Sequence, residues 1–366
     1  MLSLNDREWK EFLFPKVFKI CGGFYNKKPE DNAQGSIPFI GATYANNGIT
    51  QFCTVEDIEK TSKTGDNNNA PIDKKIFPGN CIAVTNNGSV GYAYYQKHPF
   101  TCSHDVNPLY LLDRELNEPI AKFLISAIEK QRICFTYVHK WRPTRMRKSK
   151  IMLPVNPKGQ PDYDFMEAYV KERERIKAER YTQYCKERFS ELGGFVDIET
   201  LSSKSWDSFF IKKIFDEIER GKRLKKDDHI SGDKPYVSST SLNNGVDRFI
   251  GNESKTRVFE DCLSLANSGS VGSCFYEPFQ FVASDHVTHL KKYDTSKYIY
   301  LFMATMLNRL SEKYNFNREI NDSRISREKI LLPITEEGEP DYDYMEQYAK
   351  NMMIRKYQQY LDYIEK

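Results

Sequence analysis

One chain of 366 residues carries the same series of motifs twice in the same order, and nothing else in the sequence constrains its fold as tightly. "WKEFLFPKVFKI" from Trp9 matches "WDSFFIKKIFDE" from Trp206, and "IPFIGATYANNGI" from Ile37 matches "KPYVSSTSLNNGV" from Lys234, both 197 positions apart. "NNGSVG" at 86–91 returns as "NSGSVG" at 267–272, and "SHDV" at 103–106 as "SDHV" at 284–287, both 181 positions apart. The copies close on "LPVNPKGQPDYDFMEAY" from Leu153 and "LPITEEGEPDYDYMEQY" from Leu332, 179 apart and without a gap. Such a duplication means two related domains, each closing its own core, in a chain long enough to bury both. The drop in offset between blocks puts an insertion into the first copy, in the polar stretch "TSKTGDNNNAPIDKK" at 61–75, which reads as a longer loop.

Each copy reads as short strands separated by Gly and Asn turns, then a helical patch at 118–131 or 295–313, then a basic stretch, then the LP block. After that block the apolar period lengthens. Pro161 and Asp162 open a helix whose face carries Phe165, Met166, Tyr169, Val170, Ile176, Tyr181 and Tyr184, and Gly193 with Gly194 stops it. In the second copy Met345, Tyr348, Met352, Tyr357, Tyr360 and Ile364 form the same stripe. Two amphipathic helices of about 25 residues, charged on their far faces, are expected to pack antiparallel. Met166, Tyr169, Ile176, Met345, Tyr348, Met352 and Tyr360 would then form the helix-packing or partner face. The competing reading packs each helix on its own domain alone. The expected fold is α+β: mixed α/β domains at 1–152 and 195–331, a central helix in 153–194 and a C-terminal one in 332–366.

Composition sets the class. With 39% hydrophobic and 29% charged residues the chain is ordered and soluble, and a net charge of +3 makes the placement of basic residues matter more than their total. Eight Cys without a C-x-x-C pair suit reduced thiols in the cytoplasm better than zinc or disulfides. "MLSLNDREWKEF" lacks the apolar core of a signal peptide, and "YIYLFMATML" at 298–307 is too short to span a bilayer.

Motifs that could carry catalysis lack their complements. "NPLY" at 107–110 misses the second proline of the methyltransferase Asn-Pro-Pro-Tyr motif, and no Gly-rich loop for a methyl donor accompanies it. "PDYD" at 161–164 recurs at 340–343 where a helix begins, so it reads as a helix start rather than a nuclease site. His286 and His289 lack the helical spacing of a zinc pair, and no phosphate-loop lysine motif is present. The duplicated hexapeptide reads as a tight scaffold turn, because identity between copies cannot discriminate sequence. In a chain that reads a base sequence, the contacts would lie instead where the copies differ, in 49–76 against 246–257 and 92–102 against 273–283.

Basic residues near those regions are the candidate DNA contacts. "HKWRPTRMRKSK" at 139–150 supplies Lys140, Arg142, Arg145, Arg147 and Lys148, with Lys150 and Trp141 among them, and the second copy answers with Arg318, Arg324 and Arg327. Arg223 and Lys225 in "RGKRLKK" at 220–226, Lys63 and Arg248 complete the set.

This doubled order, W-x-x-F, then a proline strand with N-N-G, then N-x-G-S-V-G, then L-P…G-x-P-D-Y-x-x-M-E-x-Y, resembles the DNA-specificity (S) subunits of type I restriction-modification systems. The LP blocks are most similar to the related subunits of type IIB systems. The "LPPL…EQ" sequence that follows a recognition domain in many type I subunits is absent, so both subclasses stay open. The resemblance implies two target-recognition domains joined by helices in an antiparallel coiled coil with a pseudo-two-fold axis. It implies binding to double-stranded DNA and to DNA methyltransferase subunits, possession of no catalytic residues, and partners, restriction subunits included, that hold S-adenosylmethionine, Mg and ATP. At 1.5 Å per residue such helices span roughly 40 Å, about one duplex turn between half-site centres. A helix-mediated assembly protein without DNA readout is the alternative; it accounts for the aromatic stripes but leaves the paired basic segments unexplained.

Overall fold

The motif that opens each copy pairs with the motif that closes it. Trp9–Leu13 lies antiparallel to Lys150–Pro154 with Trp9 opposite Pro154, and Trp206–Phe210 to Lys329–Pro333 with Trp206 opposite Pro333. The computed structural model describes residues 1–65, 69–136 and 138–364 and divides into two units, Met1–Arg180 and Tyr181–Lys366.

In the first unit the order is β1 (Trp9–Leu13), α1 (Phe14–Val17), β2 (Phe18–Ile20), β3 (Ile37–Ile40), β4 (Ile49–Cys53), α2 (Val55–Lys60), β5 (Cys81–Thr85) and β6 (Ala93–Gln96). Then come β7 (Thr101–Cys102), β8 (Val106–Leu111), α3 (Glu118–Glu129), α4 (Pro143–Met146), β9 (Lys150–Pro154) and α5 (Tyr163–Leu192), which continues into the second unit. The second unit repeats the plan with β10 (Trp206–Phe210), α6 (Ile211–Ile214), β11 (Glu217–Arg220), β12 (Ser231–Val237), β13 (Val246–Ile250), β14 (Val258–Phe259), β15 (Cys262–Ala266) and β16 (Cys274–Glu277). It closes with β17 (Phe281–Ala283), β18 (Val287–Lys291), α7 (Lys297–Asn308), α8 (Asp322–Ile325), β19 (Lys329–Pro333) and α9 (Tyr342–Ile364).

The sheets correspond strand for strand. The order β2-β8-β5-β6 in the first unit becomes β11-β18-β15-β16 in the second, and β4-β3-β7 becomes β13-β12-β17 with β14 added at the edge. The central strands β5 and β15 are buried along their whole length, as continuous apolar runs require. α3 covers its sheet through Ile120, Phe123, Leu124 and Ile128, and α7 through Ile299, Phe302, Met303 and Leu307. Trp9 stacks on Phe123 at 6.1 Å and Trp206 on Phe302 at 6.2 Å, each indole N–H donating to a leucine carbonyl, Leu4 or Leu201.

The PDYD motif is a helix start in both copies. Asp162 accepts from the Phe165 N–H at 3.0 Å and Asp341 from Tyr344 at 2.9 Å, while Arg7 and Lys204 pair with their free oxygens at 2.8 Å. α5 ends where Gly193 and Gly194 adopt φ values of 75° and 84°.

Two expectations change. The inserted stretch does not stand free: it follows α2, which the reciprocal capping box of Thr54 and Asp57 starts, and its buried Lys75 ammonium donates back to the Ile58, Glu59 and Thr61 carbonyls at the end of that helix. Residues 66–68 of that variable stretch lie outside the described residues. The apolar helix stripe also divides along its length. Met166 and Tyr169 belong to the first unit's core and Met345 and Tyr348 to the second's, because the LP block delivers each helix start directly onto its own α3 or α7. Ile176 and Met352 are half-buried beyond those cores. Further along, within the second unit, Tyr181 meets Tyr360 at 4.3 Å and Tyr184 meets Tyr357 at 5.9 Å, so the partner number falls as the residue number rises. That is antiparallel pairing, extended by Leu192 against Ala349 and Met353.

Candidate nucleic-acid interface

The hexapeptide turn is where each unit gathers its loops. Asn86 and Asn267 are buried, and each bonds distant chain through its side-chain amide and both backbone groups. The Asn86 amide N–H₂ donates to Asn107 Oδ1 at 2.8 Å and to the His104 carbonyl at 3.1 Å. That of Asn267 donates to Thr288 Oγ1 at 2.9 Å and the Ile320 carbonyl at 2.7 Å. Their backbone N–H groups reach the Asp105 and His286 carbonyls at 2.8 Å. Their carbonyls accept from Trp141 at 3.1 Å and Ile320 at 3.0 Å, which fixes the basic segment to the sheet. The scaffold reading of the repeat is the one the geometry supports. Gly88 and Gly269, both at φ 62°, bring the turn against the β3–β4 and β12–β13 turns, where Ser270 N–H donates to the Ser239 carbonyl at 3.0 Å.

The basic segment is a short helix pinned by apolar side chains. Trp141 is fully buried, stacked on Phe135 at 4.8 Å and edge-on to Phe14 at 5.3 Å, and Met146 is buried beside it. Ile320 and Ile325 occupy the matching places around α8. Opposite those pins, Arg142, Arg145, Arg147 and Lys148 are all exposed on α4 and its flanks, with Lys140 half-buried. The side chains of Arg142, Arg147 and Lys148 bond no carboxylate or carbonyl among the described residues.

Arg145 is different. One of its N–H groups donates to the Lys140 carbonyl at 2.8 Å, and Arg324 reaches the Glu319 carbonyl in the same way, so in both copies this arginine braces its own loop. Arg327 folds back onto Ser323 at 3.0 Å, Arg318 lies over Tyr314 at 5.3 Å, and Lys150 pairs with Glu11 at 2.7 Å. The second unit therefore presents fewer unengaged cations on this helix than the first.

It has a second source. Arg223, Lys225 and Lys226 line a cleft of about 400 Å³ with Ser239, Asp285 and His286, and Arg223 stands 3.9 Å from Asp285. His286 Nδ1 lies 2.7 Å from the Ser268 hydroxyl, so this cleft is continuous with the hexapeptide turn. Arg220 reaches Asp322 at the start of α8 at 3.7 Å, tying the 220–226 segment to the basic helix. Lys63 is exposed on the insertion, where its carbonyl accepts from Asn26 and Lys27. Arg248 stands on β13 and pairs with Asp247 at 2.8 Å. His289 is buried, stacked on Phe259 at 3.9 Å with Nδ1 2.9 Å from the Glu219 carbonyl, and belongs to the core.

Sequence reasoning missed the anchoring asparagines and the apolar pins. One signal was available: Trp141 and Ile320 are apolar in both copies amid charged neighbours, the mark of a residue that faces inward.

Two sheet-and-helix units, each with a loop cluster, a basic helix and a long helical extension, define a DNA-recognition protein. The chain belongs to the type I restriction modification DNA specificity domain family, whose model matches residues 6–183 and again 203–362. It is 29% identical over 354 residues to S.BcgI, the specificity subunit of a type II restriction enzyme from Heyndrickxia coagulans, with 95% of each chain covered. The crystal structure of a type I restriction-modification S subunit from M. genitalium shares the fold, with a TM-score of 0.53 at 18% identity, covering all of this chain and 93% of that one. The protein is thus a DNA specificity subunit of a restriction-modification system, and the assembly-only reading falls away. No described helix is long and apolar enough to cross a membrane.

Proposed function

We propose that each unit reads one half of a bipartite target in double-stranded DNA, and that the long helices set the unread gap and dock methyltransferase subunits. Methylation, and cleavage of foreign DNA where it occurs, belong to those partners in the cytoplasm, which also bind S-adenosylmethionine and any Mg or ATP. One observation carries the reading: the same buried asparagine frame holds a different surface in each unit. A shared frame with dissimilar reading loops suits two different half-sites.

Arg142, Arg147 and Lys148 are the phosphate contacts this geometry favours, since their charges are spent on nothing else. The triple variant R142A/R147A/K148A, assembled with its methyltransferase, is to be titrated with duplex DNA at several salt concentrations. The logarithmic salt slope should fall by about 0.9 for each phosphate no longer neutralised. An unchanged slope removes these side chains from the interface.

A further inference from the structure

At one place the two frames carry opposed chemistry. Tyr44, at the tip of the β3–β4 turn, is 71% exposed, and its ring lies 6.3 Å from that of Tyr92. The Arg132 guanidinium lies over the Tyr92 ring, 3.6 Å from its centroid. The Tyr94 hydroxyl donates to the Thr43 carbonyl at 2.7 Å, which ties the turn carrying Tyr44 to β6. Gly91, at a φ of 81°, makes room for Arg132, because a Cβ there would meet the arginine Cγ at 2.6 Å.

The matching residues of the second unit are Ser241, Ser273 and Ser311. The match is structural as well as sequential. Ala93 and Cys274 donate their N–H groups to Glu129 and Asn308 at 3.1 and 2.8 Å, and Gly272 faces Ser311 as Gly91 faces Arg132. The turn itself does not need the tyrosine, since Asn46 and Asn243 take the same positive φ, 51° and 49°, with either residue in front. Nor does the core need it. A ring this exposed buries little of its own surface on folding, whereas an aromatic face backed by a second ring and a fixed cation is what a base presents well to.

We infer that Tyr44, supported by Tyr92 and Arg132, is a base-contacting platform of the first unit, packing its ring against a nucleobase of the first half-site. At the matching positions the second unit carries Ser241, Ser273 and Ser311 in place of this platform and reads its half through polar groups. This rests on the assignment of one half-site to each unit. The cation makes a nucleic acid the fitting occupant: Arg132 stabilises the ring geometry and meets the negative potential of the duplex, alongside the basic α4 segment fixed to the adjoining hexapeptide turn through Asn86.

The test uses the full-length chain with its methyltransferase, wild type and Y44A, incubated with duplexes of randomised sequence, the captured duplexes then being sequenced. Wild type should enrich a bipartite consensus. Y44A should relax one or more positions in one half only and bind the wild-type consensus about tenfold more weakly. Its salt slope should not change, because no charge is removed. The Y92S/R132S variant should relax the same positions. If Y44A enriches the wild-type consensus with undiminished affinity, or loosens both halves alike, the platform is disproved. If it leaves DNA selection intact but weakens capture of the methyltransferase, the ring is a protein contact and the inference is equally wrong. A wild type that enriches no bipartite consensus would instead bring down the underlying assignment, a result distinguishable from the others before any variant is made.

Discussion

The first unit holds its basic helix with a tryptophan, and the second holds the matching helix with an isoleucine. Both side chains are fully buried, and their backbone N–H groups donate to the carbonyls of the matching asparagines, Asn86 and Asn267. The frame is thus kept while its filling changes, and the surface above it changes further: Lys140, Arg142 and Arg147 of the first unit correspond to Glu319, Asn321 and Ser326 of the second. Duplication followed by this division of labour lets one architecture present two unlike surfaces to DNA.

The division can be broken most strongly at the pin. Trp141→Ala should cost about 4 kcal/mol, the range for truncating a buried Trp. Hydrogen exchange should show reduced protection in α4 and the hexapeptide turn of the first unit while the second unit keeps its protection. Uniform weakening of both units would mean that they do not close independently.

A second contrast lies in the sheets. Gln96 on β6 donates to the Asn47 carbonyl at 3.2 Å, whereas the corresponding Glu277 on β16 is buried with one hydrogen bond, from Ser264 at 2.8 Å. Burial pushes the Glu277 carboxyl up to about 7, the Ser264 hydroxyl opposing it weakly. An acid raised in this way binds its proton more tightly in the folded state. Its contribution is complete below the ordinary carboxylate range and is lost as pH rises through about 7. Glu277→Gln, which copies the first unit, should therefore flatten the pH dependence and raise the second unit's stability at pH 8 by up to about 3 kcal/mol. Unfolding curves with equal pH dependence for the two proteins would refute the buried-acid account.

The smallest change sharpens the surface comparison. Ser326→Arg places in the second unit the cation that Arg147 provides in the first, and should steepen the salt dependence of DNA binding by about 0.9 in logarithmic slope. No steepening would place α8 away from the phosphates.

Much of this was legible in the sequence because duplication supplies an internal comparison. The Trp and LP motifs that bound each copy proved to be paired strands, PDYD a capped helix start, and the hexapeptide a scaffold turn. What stayed hidden depends on long-range contacts that leave no periodic trace. Trp141 sits in a run of cations yet faces inward, Arg145 and Arg324 brace their own loops, and Lys75 is buried by carbonyls from a helix 14 to 17 residues earlier. The helix stripe was visible as a face, but its division between domain core and helix pairing follows from where the LP block delivers the chain, which spacing alone does not encode.

The central claim is that each unit reads its own half-site, and exchanging one unit tests it most directly. Residues 205–331 are to be replaced by the matching segment of a relative with a different target, and the methylated sites of the assembled enzyme mapped by sequencing. The account predicts that one half of the recognised sequence changes to the relative's while the other half is retained. Retention of both halves, or loss of both, would contradict it.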